Sequence, residues 1–229
     1  MSKKDLDENI FVVVKLLLNA IDIIDDRQDR LHLAQLLLQA GEKAVSSTAF
    51  NRAFQFFNTA INLLSKDCDS WNEHYDLTLK LHEATTKVAI CITNDDSMNK
   101  MIEEVSKHVT STLHLIPSYS MLIRRNNQKL KHDEAIQSAA NILAKLGINI
   151  NCKLSPSKIL SVQDLVLSSH DTFLTMTAIE DARALSNMTI LNEIFISTYY
   201  SNHDLYAVVS CLVSYSLSLT NSNNLFLDG

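Results

Sequence analysis

Glycine and proline are almost absent: 3 and 2 in 229 residues. The glycines stand at 41, 147 and 229, so no Gly-rich loop can cradle a phosphate. Neither G-x-x-x-x-G-K-[ST] nor G-x-G-x-x-G occurs, which excludes both kinds of nucleotide-binding module from these residues. Few breakers with long apolar periodicities mean mostly helix. A mixed α/β chain would need more turn glycines and Val/Ile runs between its helices. The four cysteines (Cys68, Cys91, Cys152, Cys211) form no C-x-x-C, and scattered cysteines suit buried apolar places in a reducing cytosol. No signal peptide is visible: Met1 to Asn9 is charged, and the run Ile10 to Leu18 contains Lys15 and lacks a cleavage site. The apolar segment Leu205 to Leu219 is shorter than the ~20 residues of a spanning helix. The net charge of −6 argues against a nucleic-acid binder. A cytoplasmic chain without membrane or nucleic-acid partners is expected, and in it the sequon Asn187-Met188-Thr189 reads as accidental.

What is present centres on Arg30 to Leu64, read as two helices joined by a polar turn. Leu37, Ala40, Gly41 and Ala44 share one face of the first helix; Ala53, Phe57 and Ala60 share one face of the second. Small residues at these places let two antiparallel helices approach closely, and Phe57 fills the groove between this hairpin and the next. These offsets resemble the tetratricopeptide pattern at its small-residue positions. They depart from it at two large ones, where Leu37 replaces the usual Trp and Ala44 the usual Tyr.

The same periodicity continues along the chain. Helix one is expected over about Leu6 to Ile24, with Ile10, Val13, Val14, Leu17, Leu18, Ile21 and Ile24 on a stripe. Asp25, Asp26 and Arg27 turn the chain, and helix two runs from about Asp29 to Val45. Ser47 or Thr48 is expected to cap helix three, which ends at Leu64. Trp71 opens helix four, whose apolar positions run from Tyr75 to Ile92. Helix five follows, from Met98 to Leu113. Pro117 suits the first turn of helix six, which reaches about Leu130. Helix seven spans Asp133 to Leu146, and Gly147 is its left-handed terminator. Three hairpins thus recur at a period of about 40 residues, and since none can bury its apolar face alone, neighbours stack. Residues 148 to 170 are less regular, with a short helix expected near Pro156. Two further helices fit about Leu174 to Tyr199 and His203 to Leu219. From Ala184 to Gly229 there is no Lys or Arg. A terminal repeat normally presents a charged outer face to water, so a further segment or a partner is expected to cover this one.

Three stretches carry a wider resemblance: LLLQAGEKAVSSTAFNRAFQFFNTAINLL, WNEHYDLTLKLHEATTKVAICI and HDEAIQSAANILAKLGINI. A fourth, weaker one is ARALSNMTILNEIFISTYYSNHDLYAVVSCLVSYSLSL. In order and spacing, over roughly residues 10 to 229, the chain resembles the helical-repeat region that follows the AAA-type ATPase module in very large signalling proteins. Those proteins typically join a Ser/Thr kinase-like domain, an ATPase, this helical region, a GAF domain and a sensor histidine kinase. The resemblance implies a fragment whose parent continues past Gly229. All four stretches are packing motifs, so it implies fold and context, with no catalytic residue carried over.

The search for chemistry gives mainly structural readings. His82-Glu83 begins like a zincin helix, but Thr86 stands where the second ligand belongs, so a polar helix face is expected and no metal site. His108 and His114 do not share a helix face. His132, His170 and His203 each precede an Asp and read as turn or cap residues. The cysteines read as small buried apolar residues, and Glu103-Glu104 and Asp95-Asp96 as solvated faces or turns. Arg124, Arg125, Lys129, Lys131 and His132 cluster without acids between them, either as an exposed helix end or as a docking spot for an acidic partner. Trp71, Tyr75 and Tyr119 are either core or the lining of a concave groove.

The expected fold is all-α: an antiparallel, tetratricopeptide-like helical-repeat solenoid of about nine helices. Residues 1–150 form helical hairpins and 151–229 continue the helical region. The expected role is a non-catalytic scaffold of a multidomain signalling kinase, with protein partners, no cofactor and no metal. A free-standing adaptor that binds a partner peptide in its concave groove is the alternative. Arg124, Arg125, Lys129, Lys131, Trp71 and Tyr75 are the candidate partner-binding residues.

Overall fold

The computed structural model describes residues 3–66, 69–147, 182–201 and 209, with side chains from residue 9 onward except at Ala184. The expected helices near Pro156 and over His203–Leu219, and Cys68, Cys152 and Cys211, lie outside the described residues. The described chain is all-α, with nine helices and no strand among its residues. They are α1 (Lys3–Asn19), α2 (Arg27–Ser46), α3 (Phe50–Ser65), the single turn α4 (Ser70–Glu73), α5 (Tyr75–Cys91), α6 (Asp95–His108), α7 (Ile116–Gln128), α8 (His132–Lys145) and α9 (Ala182–Ser201). Short 3-10 turns occupy Ile21–Ile23 and Thr112–Leu115. Two compact units divide the chain, Met1–His108 and Val109–Gly229.

In the first unit each helix packs mainly on its neighbour in sequence: α1 on α2, α2 on α3, α3 on α5, α5 on α6. Each apolar face is thus covered by the neighbouring helix. Ile10 and Val14 of α1 are buried against α2, while Leu17, Leu18, Ile21 and Ile24 pack at the edge. Leu37, Ala40 and Ala44 of α2 and Ala53, Phe57 and Ala60 of α3 are all almost fully buried. Phe57 lies directly on Gly41, so close that a Cβ there would collide with its ring. The aromatic ring thus fills the space left by the missing side chain, which lets α2 and α3 approach.

The three hairpins share one turn. Thr48, Thr93 and Leu130 each adopt a positive φ, of 58°, 57° and 59°. In each turn the next N–H reaches back to the helix: Ala49 donates to the Ala44 carbonyl, Asn94 to Ala89 and Lys131 to Asn126, at 2.8–2.9 Å. The left-handed residues donate in turn to Val45, Ile90 and Asn127. This is the Schellman arrangement, which satisfies carbonyls that a helix end leaves open. Counting from these turns, the buried positions of the second helix correspond: Ala53, Met98 and Ala135, then Phe57, Ile102 and Ala139, then Ala60, Val105 and Ile142. In the first helix Leu37 corresponds to His82 and Gly41 to Thr86, all four buried. Gly147 terminates α8 as expected, at φ 88°, and Pro117 sits in the first turn of α7.

Several local expectations are corrected. Ser47 and Thr48 do not cap α3; its cap is Ala49, without a side-chain bond, because Thr48 has turned left-handed and the Ser47 hydroxyl donates back to Lys43. The cap of α2 is Asp26, whose carboxylate accepts from the N–H groups of Gln28 and Asp29. Helix one ends at Asn19, and Ile21–Ile23 form a separate turn. The helix opened by Trp71 is broken at His74 into α4 and α5. The buried Thr78 hydroxyl donates to the Ser70 carbonyl at 3.0 Å and fastens the break.

The second unit packs α7, α8 and α9 against one another. Its core holds Ile123, Ala135, Ala139, Ile142, Leu143, Ile190 and Ile194.

Candidate interaction site

Trp71 and Tyr75 lie in the first unit, on α4 and at the start of α5. Breaking the helix at His74 turns the indole of Trp71 onto α5 and the end of α6. Its ring stacks on His108, with centroids 4.9 Å apart and 4° between planes, and lies 4.9 Å from His82 and 6.0 Å from Tyr75. Trp71 and Tyr75 are both half-buried, so they are packing residues with one edge in water. The sequence did not reveal His82 and His108 as their partners, because the two histidines come from different helices.

His82 is buried, which corrects the expectation of a polar helix face. Its Nδ1–H donates to the Thr78 carbonyl at 2.8 Å, leaving Nε2 as the unprotonated nitrogen of the neutral ring. Burial pushes its pKa below 6.5, and the nearby His108 adds to the drop, while the Thr78 carbonyl and Glu104 oppose it. Below it, the buried hydroxyls of Thr85 and Thr86 donate to the carbonyls of Leu81 and His82. Among the described residues, no group of three or more His, Cys, Asp or Glu side chains could hold a metal ion.

The basic residues lie in the second unit. Arg124 and Arg125 are in the last turns of α7, Lys129 ends that helix and Lys131 begins α8. Arg124 is committed: its Nε donates to both carboxylate oxygens of Glu193 on α9, at 2.7 and 2.8 Å. This pair raises the guanidinium pKa, chiefly through the hydrogen bond. Beside it, Asn127 Nδ2 donates to the Glu193 carbonyl at 2.8 Å, and Ser197 Oγ donates to Asn127 Oδ1. Lys131 pairs with Glu134 at 3.3 Å, both exposed. Arg124 and Asn127 thus form a polar seam between α7 and α9. The signal was present in the sequence: four cations without acids on one stretch, and Glu193 in a later stretch without Lys or Arg. Tyr119 is half-buried beneath Lys145, whose Nζ stands 5.9 Å from the ring centroid.

Two open grooves mark the first unit. One, of about 310 Å³, lies between α2, α3 and α5, lined by Val45, Phe50, Phe57, Ala84 and Val88. Glu42 and Lys80 pair across it at 2.8 Å. The Cys91 thiol at its edge is exposed, which corrects the expectation that this cysteine is buried. The second groove, of about 730 Å³, runs between α1 and α3. Among the described residues no helix is long and apolar enough to cross a membrane.

Set against known proteins, the chain is similar to hybrid signal transduction histidine kinase G of Dictyostelium discoideum. The two are 27% identical over 154 residues, a match covering 64% of this chain and 4% of that protein. The chain therefore spans a small fraction of the length of the relative it matches. No family model matches the sequence. No solved structure matches it either. The chain is helical and similar to a stretch of a signal-transduction kinase.

Proposed function

We propose that this chain is a non-catalytic, tetratricopeptide-like scaffold of a multidomain signalling kinase. It would lie in the cytoplasm after an AAA-type ATPase module and before the sensor part of the parent. One observation carries the reading: the three hairpins close with the same left-handed turn, and their second helices bury the same positions counted from it. Repeats of this kind stack into a semi-rigid, solenoidal spacer with helix-lined surfaces for protein partners. The similarity to a histidine kinase supplies the signalling context. The chemistry of these residues is packing chemistry, so the role is to hold and transmit.

The transcript on either side of these 229 codons tests the proposal. In-frame ATPase motifs upstream and sensor-kinase motifs downstream are expected. Clean start and stop signals with neither module would overturn the scaffold reading and favour a free-standing adaptor. The groove of about 310 Å³ between α2, α3 and α5 is what favours that second reading, since it is where a partner peptide would lie.

A further inference from the structure

The groove between α1 and α3 combines an apolar floor with a charged rim. Its floor is apolar: Phe11 and Phe56 stack with centroids 6.3 Å apart, and Val12 and Leu16 of α1 are 60% and 64% exposed. Val12 and Leu16 are one helical turn apart, so they form a continuous apolar strip on the outer side of α1. The rim is basic. Lys15 and Arg52 line the groove, and among the described residues no carboxylate does. The Arg52 guanidinium lies 5.9 Å from the Phe11 centroid, and the Lys43 ammonium 6.0 Å from it. Three cations thus gather around one aromatic floor in a chain whose net charge is −6. An apolar trough edged by positive charge repels a basic occupant and attracts an acidic one.

We propose that this groove docks an acidic amphipathic helix from a protein partner. Apolar side chains spaced i and i+4 would sit on Phe11, Phe56 and Leu16, and flanking carboxylates would face Lys15 and Arg52. The lining of α1 runs from Phe11 to Asn19, or about 12 Å at 1.5 Å per residue, which takes roughly two turns of a partner helix. The occupant is therefore short, with two or three apolar anchors. This goes beyond the scaffold reading, and it concerns a different face from the groove between α2, α3 and α5.

The test uses the 229-residue chain and two fluorescent model peptides. Both carry leucines at i, i+4 and i+8 on an alanine-rich helix; one has glutamate flanks and the other lysine flanks. The glutamate peptide is expected to bind, and its affinity should fall steeply with salt. Lys15→Glu with Arg52→Glu should weaken it by about tenfold or more and should improve binding of the lysine peptide. Both sites are outside the core, so the fold is checked by circular dichroism, and Leu16→Glu, at an exposed position, provides an independent variant that should also abolish binding. Equal binding of both peptides, no binding of either, or binding that neither charge reversal nor Leu16→Glu alters would overturn the proposal. Self-association of the chain that Leu16→Glu abolishes would also overturn it, by showing a second copy as the occupant.

Discussion

The imidazole of His108 lies flat on the indole of Trp71, 4.9 Å between centroids and 4° between planes. The two residues belong to α6 and α4, so the stack ties the end of the second hairpin to the single turn that begins it. His108 is also held from its own helix, with Nδ1 facing the Glu104 carbonyl at 2.9 Å. Trp71 thus acts as a wedge whose faces are occupied by groups from α5 and α6.

Trp71→Ala removes that wedge. A fully buried Trp→Ala change costs roughly 3–5 kcal/mol, and the half-buried indole sets the expectation at about 2 kcal/mol. Urea unfolding followed by far-ultraviolet circular dichroism measures it. A loss under about 0.5 kcal/mol, typical of surface substitutions, would mean the stack is incidental.

His82 makes the stability of the first unit depend on pH. Its folded pKa lies below the ordinary 6.5, first because burial disfavours the charged ring. Between those two values the unfolded chain binds the extra proton and the folded chain does not. Unfolding free energy therefore rises with pH there. Stability is full above 6.5, falls as pH drops through it, and levels off below the folded pKa. His82→Leu should flatten this dependence, since Leu37 occupies the corresponding place in the first hairpin. Urea midpoints compared at pH 7.5 and 5.5 check it; an equal fall in wild type and variant would assign the effect to other groups.

The paired helices were legible in the sequence because their signal is local. Small and bulky residues at helical spacing mark which faces meet, and Leu37, Ala40, Ala53, Phe57 and Ala60 all proved buried. The turn chemistry was less legible. Ser47 and Thr48 look like a capping pair, yet Thr48 is left-handed in the turn, and nothing in its composition distinguishes a Thr at φ 58° from one that caps. The candidate site was legible only in part. Trp71 beside Tyr75 is a sequence neighbourhood, whereas Trp71 against His82 and His108 is a tertiary one. Arg124 read as an exposed helix end or a docking spot because its acid lies 69 residues away in the chain.

Leu130 shows a cost that the shared turn imposes. It adopts φ 59° and is 78% exposed, so its side chain adds almost no buried area to offset the strain. A left-handed conformation costs a non-glycine residue roughly 1–2 kcal/mol, and glycine avoids that while adding about 0.4–1 kcal/mol of unfolded-state entropy. Leu130→Gly is expected to stabilise the second unit by about 0.5–1 kcal/mol. Thermal unfolding reads the change, and Leu130→Ala, which keeps the Cβ, should give little of the gain.

Gly41→Ala decides how tightly α2 and α3 are closed. In an open helix the change stabilises by about 1 kcal/mol, because alanine restricts the unfolded chain and favours the helix. Here the new methyl meets the ring of Phe57, itself 1% exposed and packed in the core, so one of the two helices must move. Overpacking of this kind costs about 1–3 kcal/mol, and the sign reverses to destabilisation. Phe57→Leu alone is destabilising too, through the space it opens. In the double variant the alanine methyl occupies that space, so its cost should fall short of the sum of the two single costs by about 1 kcal/mol or more. Urea midpoints for the four proteins of the cycle measure this coupling. Additive costs would mean that the helices relax apart without the ring and the glycine ever competing for the same volume.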